Sequence, residues 1–203
     1  MPVEQPPKMC AVRPLAATRL FAVEAVDLVF ANGTAVTFER LAAKGRGAVL
    51  VVPILDDGRI VLIREYACGT ERYELGLPKG RIDGDEPILD AANRELMEEA
   101  GFGASQLTLL REVTSSPAYS AQRTHIVLAT GLFPQRLPGD EPEPLEVVTW
   151  PLDDLDRLAF DGQCSEARSI AALYLARAHL AQSELVDFKK SVKGKSSQRP
   201  TDP

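Results

Sequence analysis

The stretch GRIDGDEPILDAANRELMEEAGF occupies residues 80–102. On a helix of about 3.6 residues per turn, Glu95 and Glu99 stand one turn apart, and Glu98 is three residues beyond Glu95. All three carboxylates then share one side, away from an apolar stripe of Ile88, Ala92 and Leu96. Like charges at this spacing repel, and a face needed only for solubility would intersperse lysines. Hard divalent cations between the acids remove that cost. Mg²⁺ takes oxygen ligands, keeps waters and commonly bridges carboxylates to substrate phosphates. The pattern therefore predicts a helix over residues 87–100 that carries a Mg²⁺ site awaiting a phosphate ligand. Arg94 lies four residues after Asp90, four before Glu98 and eight after Glu86, so Arg94 and Glu86 read as an orienting ion pair. Pro87 falls in the first turn, where its missing N–H costs nothing. Gly80 follows Leu77-Pro78-Lys79 and allows a tight loop against the helix, with the Lys79 carbonyl free to point at the same metals. Gly101 suits a left-handed helix end.

The 203 residues suffice for one domain with a real core. With 45% hydrophobic and 26% charged residues, the composition is that of an ordinary globular protein. A net charge of −6 and a pI near 5.1 argue against nucleic-acid binding through a general basic field, but not against small phosphorylated ligands. Cys10, Cys68 and Cys164 are odd in number, far apart and without metal spacing, as expected of thiols in a reducing compartment. No apolar run is long enough for a bilayer and no signal peptide is present, so a cytoplasmic protein without a membrane partner is expected.

Residues 1–14 carry Pro2, Pro6, Pro7 and Pro14 and read as an irregular segment, while the polar, basic residues 188–203 read as a disordered tail. RLFAVEAVDLVF and TAVTFERL flank Ala31-Asn32-Gly33, a hairpin signal. AVLVVPIL and RIVLIREYA, separated by Asp56-Asp57-Gly58, predict a second hairpin of buried strands. A second helix is expected over residues 165–181, with Ile170, Leu173, Ala176 and Leu180 in register. Further strands are expected at 107–113, 124–129 and 145–150. The order predicts an α/β sandwich of mixed or mostly antiparallel strands with helices on its faces.

Gly80, Glu86, Arg94-Glu95-Leu96-Met97-Glu98-Glu99-Ala100-Gly101-Phe102 is similar, without a gap, to the box of the Nudix hydrolases. RLFAVEAVDLVFANG, LIREYACGTERYELGLPKG, PAYS, GDEPEPLEVVTWPL and EARSIAALYL resemble the ADP-ribose pyrophosphatase branch of that family. Within it they are most like the type acting on ADP compounds, over nearly all of residues 19–180. The resemblance implies a Nudix α/β/α sandwich with a mixed sheet over residues 45–187. It also implies an N-terminal antiparallel hairpin over 15–44 that helps form a homodimer, sometimes by strand exchange.

The resemblance further implies hydrolysis of a nucleoside diphosphate linked to another group, with roughly two or three Mg²⁺ (or Mn²⁺) ions. Glu95 and Glu99 would be metal ligands, Glu98 a third ligand or the proton acceptor for the attacking water, and the Lys79 carbonyl would complete the site. In this branch a late-loop glutamate often acts as general base. Here Gly139-Asp140-Glu141-Pro142-Glu143-Pro144 occupies that place, with Glu143 the first candidate, Glu141 the second, and a surface acidic turn the alternative. The family's acid after a Ser-Pro-Gly element is replaced by Gln122, and its Arg-Gln-Tyr-Arg element by Arg64-Glu65-Tyr66-Ala67. The lost arginine fits a pocket that recognises the ADP half and tolerates varied partners. The implied substrates are ADP-ribose, NADH and Ap3A, with AMP as a product.

Arg64 and Glu74 are candidates for the substrate groove or for a structural ion pair. Tyr119 reads either as a base-stacking ring or as a core aromatic, and Glu39 and Arg40 as reaching a neighbour's nucleotide. His125 and His179 read as structural, and Ser115-Ser116-Pro117 lacks the context of a nucleophile elbow. Two alternatives stay open: a Nudix hydrolase for another diphosphate, such as a sugar nucleotide or capped RNA end, and a non-catalytic nucleotide sensor. The presence of Glu86, Glu95, Glu98 and Glu99 argues against the sensor.

Overall fold

The computed structural model describes residues 5–196, with side chains described as far as residue 182. It opens with three antiparallel strands in the order β1 (Lys8–Ala17), β2 (Ala22–Val29), β3 (Ala35–Leu41). β1 begins inside the stretch expected to be irregular. It is an edge strand, where a proline removes no needed ladder bond, and irregularities in register lie between Met9 and Ala11 and between Pro14 and Ala16. The N-terminal extension thus contains the expected antiparallel hairpin, β2–β3 about the Asn32-Gly33 turn, with β1 added as a third strand.

The remaining strands form two further sheets. β4 (Ala48–Pro53), β7 (Lys79–Arg81), β8 (Phe102–Val113) and β9 (Thr124–Pro134) align in the order β7-β4-β9-β8, with β4 and β9 parallel. β5 (Arg59–Ala67), β6 (Arg72–Gly76) and β10 (Glu146–Pro151) align as β10-β5-β6, all antiparallel. The hairpin expected between AVLVVPIL and RIVLIREYA is reduced to one bridge, Ile54 to Ile60. Both edges of β4 and both edges of β5 are taken by other strands, so the pair separates beyond the turn.

Alternation along these strands builds two cores, because successive side chains point to opposite faces. Leu50, Val52, Ile60, Leu62, Ile126 and Leu128 face one side, while Val49, Val51, Val61, Ile63, Val127 and Ala129 face the other. The first side is covered by α2 (Leu155–Phe160) and α3 (Ala167–Ser196) through Leu155, Leu158, Ala172, Leu173 and Ala176. The second is covered by α1 (Ile88–Glu95) through Ala91 and Ala92, and by the turn that follows through Leu96 and Ala100. The result is an α/β/α sandwich with a mixed sheet.

Three helix boundaries differ from the sequence expectation. Pro87 precedes α1 as its cap in extended conformation, φ −63° and ψ 146°, rather than lying in the first turn. Residues Leu96–Ala100 form a π turn, not a continued α-helix. α3 runs to Ser196, through much of the segment expected to be disordered: a helix anchored on the core extends readily through lysines, which are good helix formers. The rest of that tail, residues 197–203, lies outside the described residues. Among the described residues no helix is long and apolar enough to cross a membrane.

Candidate active site

The site forms where β7 meets α1 and its π turn. Arg94 is the hub. Its Nη2 and Nε donate to the two oxygens of Glu86 at 2.8 and 3.2 Å, and its Nη1 donates to Glu95 at 2.8 Å and Glu98 at 2.9 Å. Nη2 also reaches the Arg81 carbonyl at 2.9 Å, tying the hub to β7. These acids, Glu86 first, hold the guanidinium charged far above its ordinary range. Arg94 in turn holds the Glu86 carboxyl below its usual value.

Glu95 and Glu99 do not share an exposed face with Glu98. They are 8% and 4% exposed, while Glu98 is half-buried. The π turn causes this, because its wider coil shifts the residues after Glu95 out of the α-helical register. Burial pushes the Glu95 carboxyl up against the opposing pull of Arg94, with Glu98 and Glu141 adding repulsion. Burial likewise pushes Glu99 up to about 8, opposed by Lys79. Glu99 accepts a hydrogen bond from the Lys79 backbone N–H at 2.8 Å, so the Lys79 backbone lies against the acids. The Lys79 ammonium pairs with Glu65 at 2.6 Å. A Cβ at Gly80 would overlap the Glu95 carboxylate, so only glycine lets β7 lie against that acid. Gly101, at φ 75°, ends the π turn in the left-handed conformation.

The two late-loop candidates separate. Leu137 N–H donates to the Met97 carbonyl at 3.2 Å, and Gly139 lies against both the Glu98 carbonyl and the Glu141 carboxylate. Glu141 is half-buried beside the acids, whereas Glu143 is exposed and accepts a 2.6 Å hydrogen bond from the Tyr73 hydroxyl. Glu143 shares a hollow of about 290 Å³ with Arg64, Tyr73 and Glu146. The geometry thus favours the second candidate over the first.

Arg64 and Glu74 do not pair with each other, because they occupy alternate positions on the β5–β6 hairpin and face opposite sides. Arg64 binds Glu146 at 2.9 Å and Gln163 at 3.1 Å. Glu74 binds Arg72 at 2.7 Å and the Ser165 hydroxyl at 2.9 Å. It lines a cavity of about 240 Å³ together with Glu65, Lys79 and Ser165, and through Lys79 this cavity adjoins the acids. Tyr119 is 57% exposed, so it is not a core aromatic. Glu39 is exposed on β3, and Arg40 pairs with Glu24 at 2.5 Å. Among the described residues, no hydrogen bond or ion pair joins Tyr119, Glu39 or Arg40 to the acids within one chain. Glu65 and Tyr73 were not expected from the sequence. Their cross-strand registers, to Glu74 and Tyr66, and their bonds to Lys79 and Glu143 single them out.

The acids fit a hard divalent cation in their donor chemistry. Glu95 and Glu99 are carboxyl oxygen donors buried at a desolvation cost, and among the described residues Arg94 supplies the only hydrogen bond to Glu95. Among the described residues no three acidic, histidine or cysteine side chains converge as a ready-made metal cluster, because Glu95 and Glu98 both turn to Arg94.

The chain belongs to the Nudix hydrolase family: residues 44–173 match the NUDIX domain. Residues 7–40 match the NudE-type Nudix hydrolase N-terminal domain. The chain is 50% identical over 173 residues to the ADP compounds hydrolase NudE of Escherichia coli K12, covering 85% of this chain and 92% of that one. It is 31% identical to the ADP-ribose pyrophosphatase of Bacillus subtilis 168, covering 72% of this chain and 80% of the other. A crystal structure of an ADP compounds hydrolase superposes with a TM-score of 0.84 at 47% identity, covering 90% of this chain and 98% of that one.

Proposed function

We propose that this Nudix hydrolase cleaves the diphosphate bond of ADP-linked compounds, including ADP-ribose, NADH and Ap3A, and releases AMP. The observation carrying the reading is the 50% identity to an ADP compounds hydrolase across both the N-terminal and the Nudix parts of the chain. The buried acid cluster supports it. Glu95, Glu99 and Glu98 would hold Mg²⁺, with Mn²⁺ as a substitute. Bound there, the ion supplies a polarised water and neutralises diphosphate charge. Arg94 and Glu86 orient the acids. Glu141 accepts the proton of the attacking water, a carboxylate sufficing for a water whose pKa is lowered. The cavity beside Lys79 offers room for part of the substrate next to the acids.

The assembly proposed is a homodimer. Met9, Val12, Val36 and Phe38 present exposed apolar side chains on one face of the N-terminal sheet, in register through Leu28 and Val26. A second copy of this sheet would cover them, and Glu39 and Arg40 on the same sheet would then stand near a neighbour's nucleotide. The free thiols of Cys10 and Cys68 are exposed, which suits a reducing cytoplasm.

The test is turnover of ADP-ribose, NADH, Ap3A and GDP-sugars with Mg²⁺ in ¹⁸O-labelled water, with products and labelled phosphate identified. AMP release from the ADP compounds, faster than cleavage of GDP-sugars, is expected. Equal rates on GDP-sugars would overturn the substrate assignment.

A further inference from the structure

The segment between β9 and β10 carries Glu141 past the acid cluster, and its fastenings are few. At one end the Gln135 N–H donates to the Gly101 carbonyl at 3.1 Å and Leu137 to Met97 at 3.2 Å, so the segment is stitched to the π turn. At the other, the Leu145 side chain packs into the core beneath α1 and Glu146 enters β10. Between these ends, residues 138–144 make one hydrogen bond among the described residues, from the Tyr73 hydroxyl to Glu143. Three prolines, Pro138, Pro142 and Pro144, remove donors from the same stretch. Glu141 is the one half-buried residue of that stretch, two positions from the fastening.

Tyr73 is itself well placed to act as an anchor. It stands on β6, directly across from Tyr66 on β5, and the two rings meet edge to face with centroids 5.5 Å apart. Tyr73 and Arg64 lie on the hairpin face away from Glu65 and Glu74, and the Arg64–Glu146 pair closes the same hollow. A rigid ring on a paired strand therefore grips residues 138–144, which have no other hydrogen bond among the described residues.

We propose that Tyr73 is a positioning residue whose hydroxyl latches Glu143 and thereby holds Glu141 over the acid cluster. The inference rests on the reading that Glu141 takes the proton from the attacking water, and it assigns Glu143 a mechanical task in place of a chemical one. The Tyr73 hydroxyl donates and Glu143 accepts, so an amide oxygen at position 143 would serve the latch as well as a carboxylate.

Four variants decide it: Tyr73→Phe, Glu143→Ala, Glu143→Gln and Glu141→Gln. Tyr73→Phe keeps the ring contact with Tyr66 and removes only the hydroxyl. Its kcat should fall about tenfold to a hundredfold, the scale of a displaced reacting group, with KM little changed. Glu143→Ala should match it, and the double variant should be no worse than either alone. Glu143→Gln should recover most of the loss. Glu141→Gln should lose about 10²- to 10⁴-fold, as for a general base. Independently of activity, millisecond hydrogen exchange on the metal-free protein should quicken at residues 139–141 in Tyr73→Phe.

Unchanged kcat together with unchanged exchange in Tyr73→Phe overturns the latch. Equal losses in Glu143→Gln and Glu143→Ala overturn it too, because the charge of Glu143 would then be what matters. If the wild type turned over no ADP compound, the functional reading would fail while the exchange measurement still decided the latch.

Discussion

Gly80 of β7 and Glu95 of α1 fit together as surface and imprint: the space a Cβ would take at Gly80 is filled by the Glu95 carboxylate. That acid is 8% exposed and bound by Arg94. Replacing Gly80 with alanine forces the carboxylate aside or lifts β7 from the helix. Gly80→Ala is expected to lower kcat on the order of 10²-fold, with the far-ultraviolet circular dichroism spectrum retained. Wild-type turnover would mean that Glu95 has another productive place to go.

Glu99 is costly to keep charged. Its folded pKa of about 8 exceeds the ordinary 4.5, so its contribution to stability is fully present below 4.5 and is lost as pH rises through 8. Glu99→Gln should therefore cut turnover by orders of magnitude. In metal-free buffer at pH 8 it should melt no lower than the wild type, and should melt higher if relief of the buried charge dominates. Mg²⁺ at a hundredfold excess over its Kd should stabilise the wild type by about 2.7 kcal/mol, seen as a rise in Tm that the variant lacks. A variant that binds Mg²⁺ and turns over normally would remove Glu99 from the site.

Glu166 shows the opposite linkage at the start of α3. Burial pushes its carboxyl up, but hydrogen bonds from Arg168 and from the N–H and hydroxyl of Ser169 outweigh this and leave it below the ordinary 4.5. A depressed pKa gives stability that is present above 4.5 and lost as pH falls through the folded value. Glu166→Gln should cost about 1–2 kcal/mol at pH 7, and urea titrations should show the gap closing by pH 3. A gap independent of pH would mean that shape, not charge, is what the residue supplies.

The apolar face of the N-terminal sheet predicts its own experiment. Phe38 is 46% exposed in line with Val26 and Val12. Phe38→Asp should convert the proposed dimer to monomer in sedimentation velocity while leaving the melting of each subunit's sandwich cooperative. A variant that remains dimeric at micromolar concentration would place the interface elsewhere.

Much of the sandwich is written in local pattern. AVLVVP and RIVLIREYA are apolar at every position that the two cores use, so their burial on both faces could be read directly. Their partners could not, because strand pairing depends on which edges remain free after distant segments arrive. The helix of residues 88–95 followed from its stripe, but the π turn after Glu95 did not: Leu-Met-Glu-Glu-Ala carries no local mark of it, and the closing contacts come from β8 and from the late loop. That is why the spacing placed Glu98 and Glu99 in the right neighbourhood but on the wrong relative exposure. β1 was missed because Pro14 reads locally as a breaker, while an edge position neutralises it. In the late loop the sequence offered two glutamates two residues apart, and the burial of Glu141 beside the acids and the tyrosine reaching from β6 to Glu143 tell them apart.

The parallel pairing of β4 with β9 also governs when this enzyme can first work. Ala48 lies opposite Thr124, and the whole Gly80–Gly101 element is spanned by the chain between them. Parallel neighbours cannot be joined by a short reversal and form late, after a long closure. A nascent chain emerging from the ribosome would therefore carry Glu95, Glu98 and Glu99 well before it could hold them in place. Activity would begin only once Thr124–Pro134 had left the exit tunnel and docked.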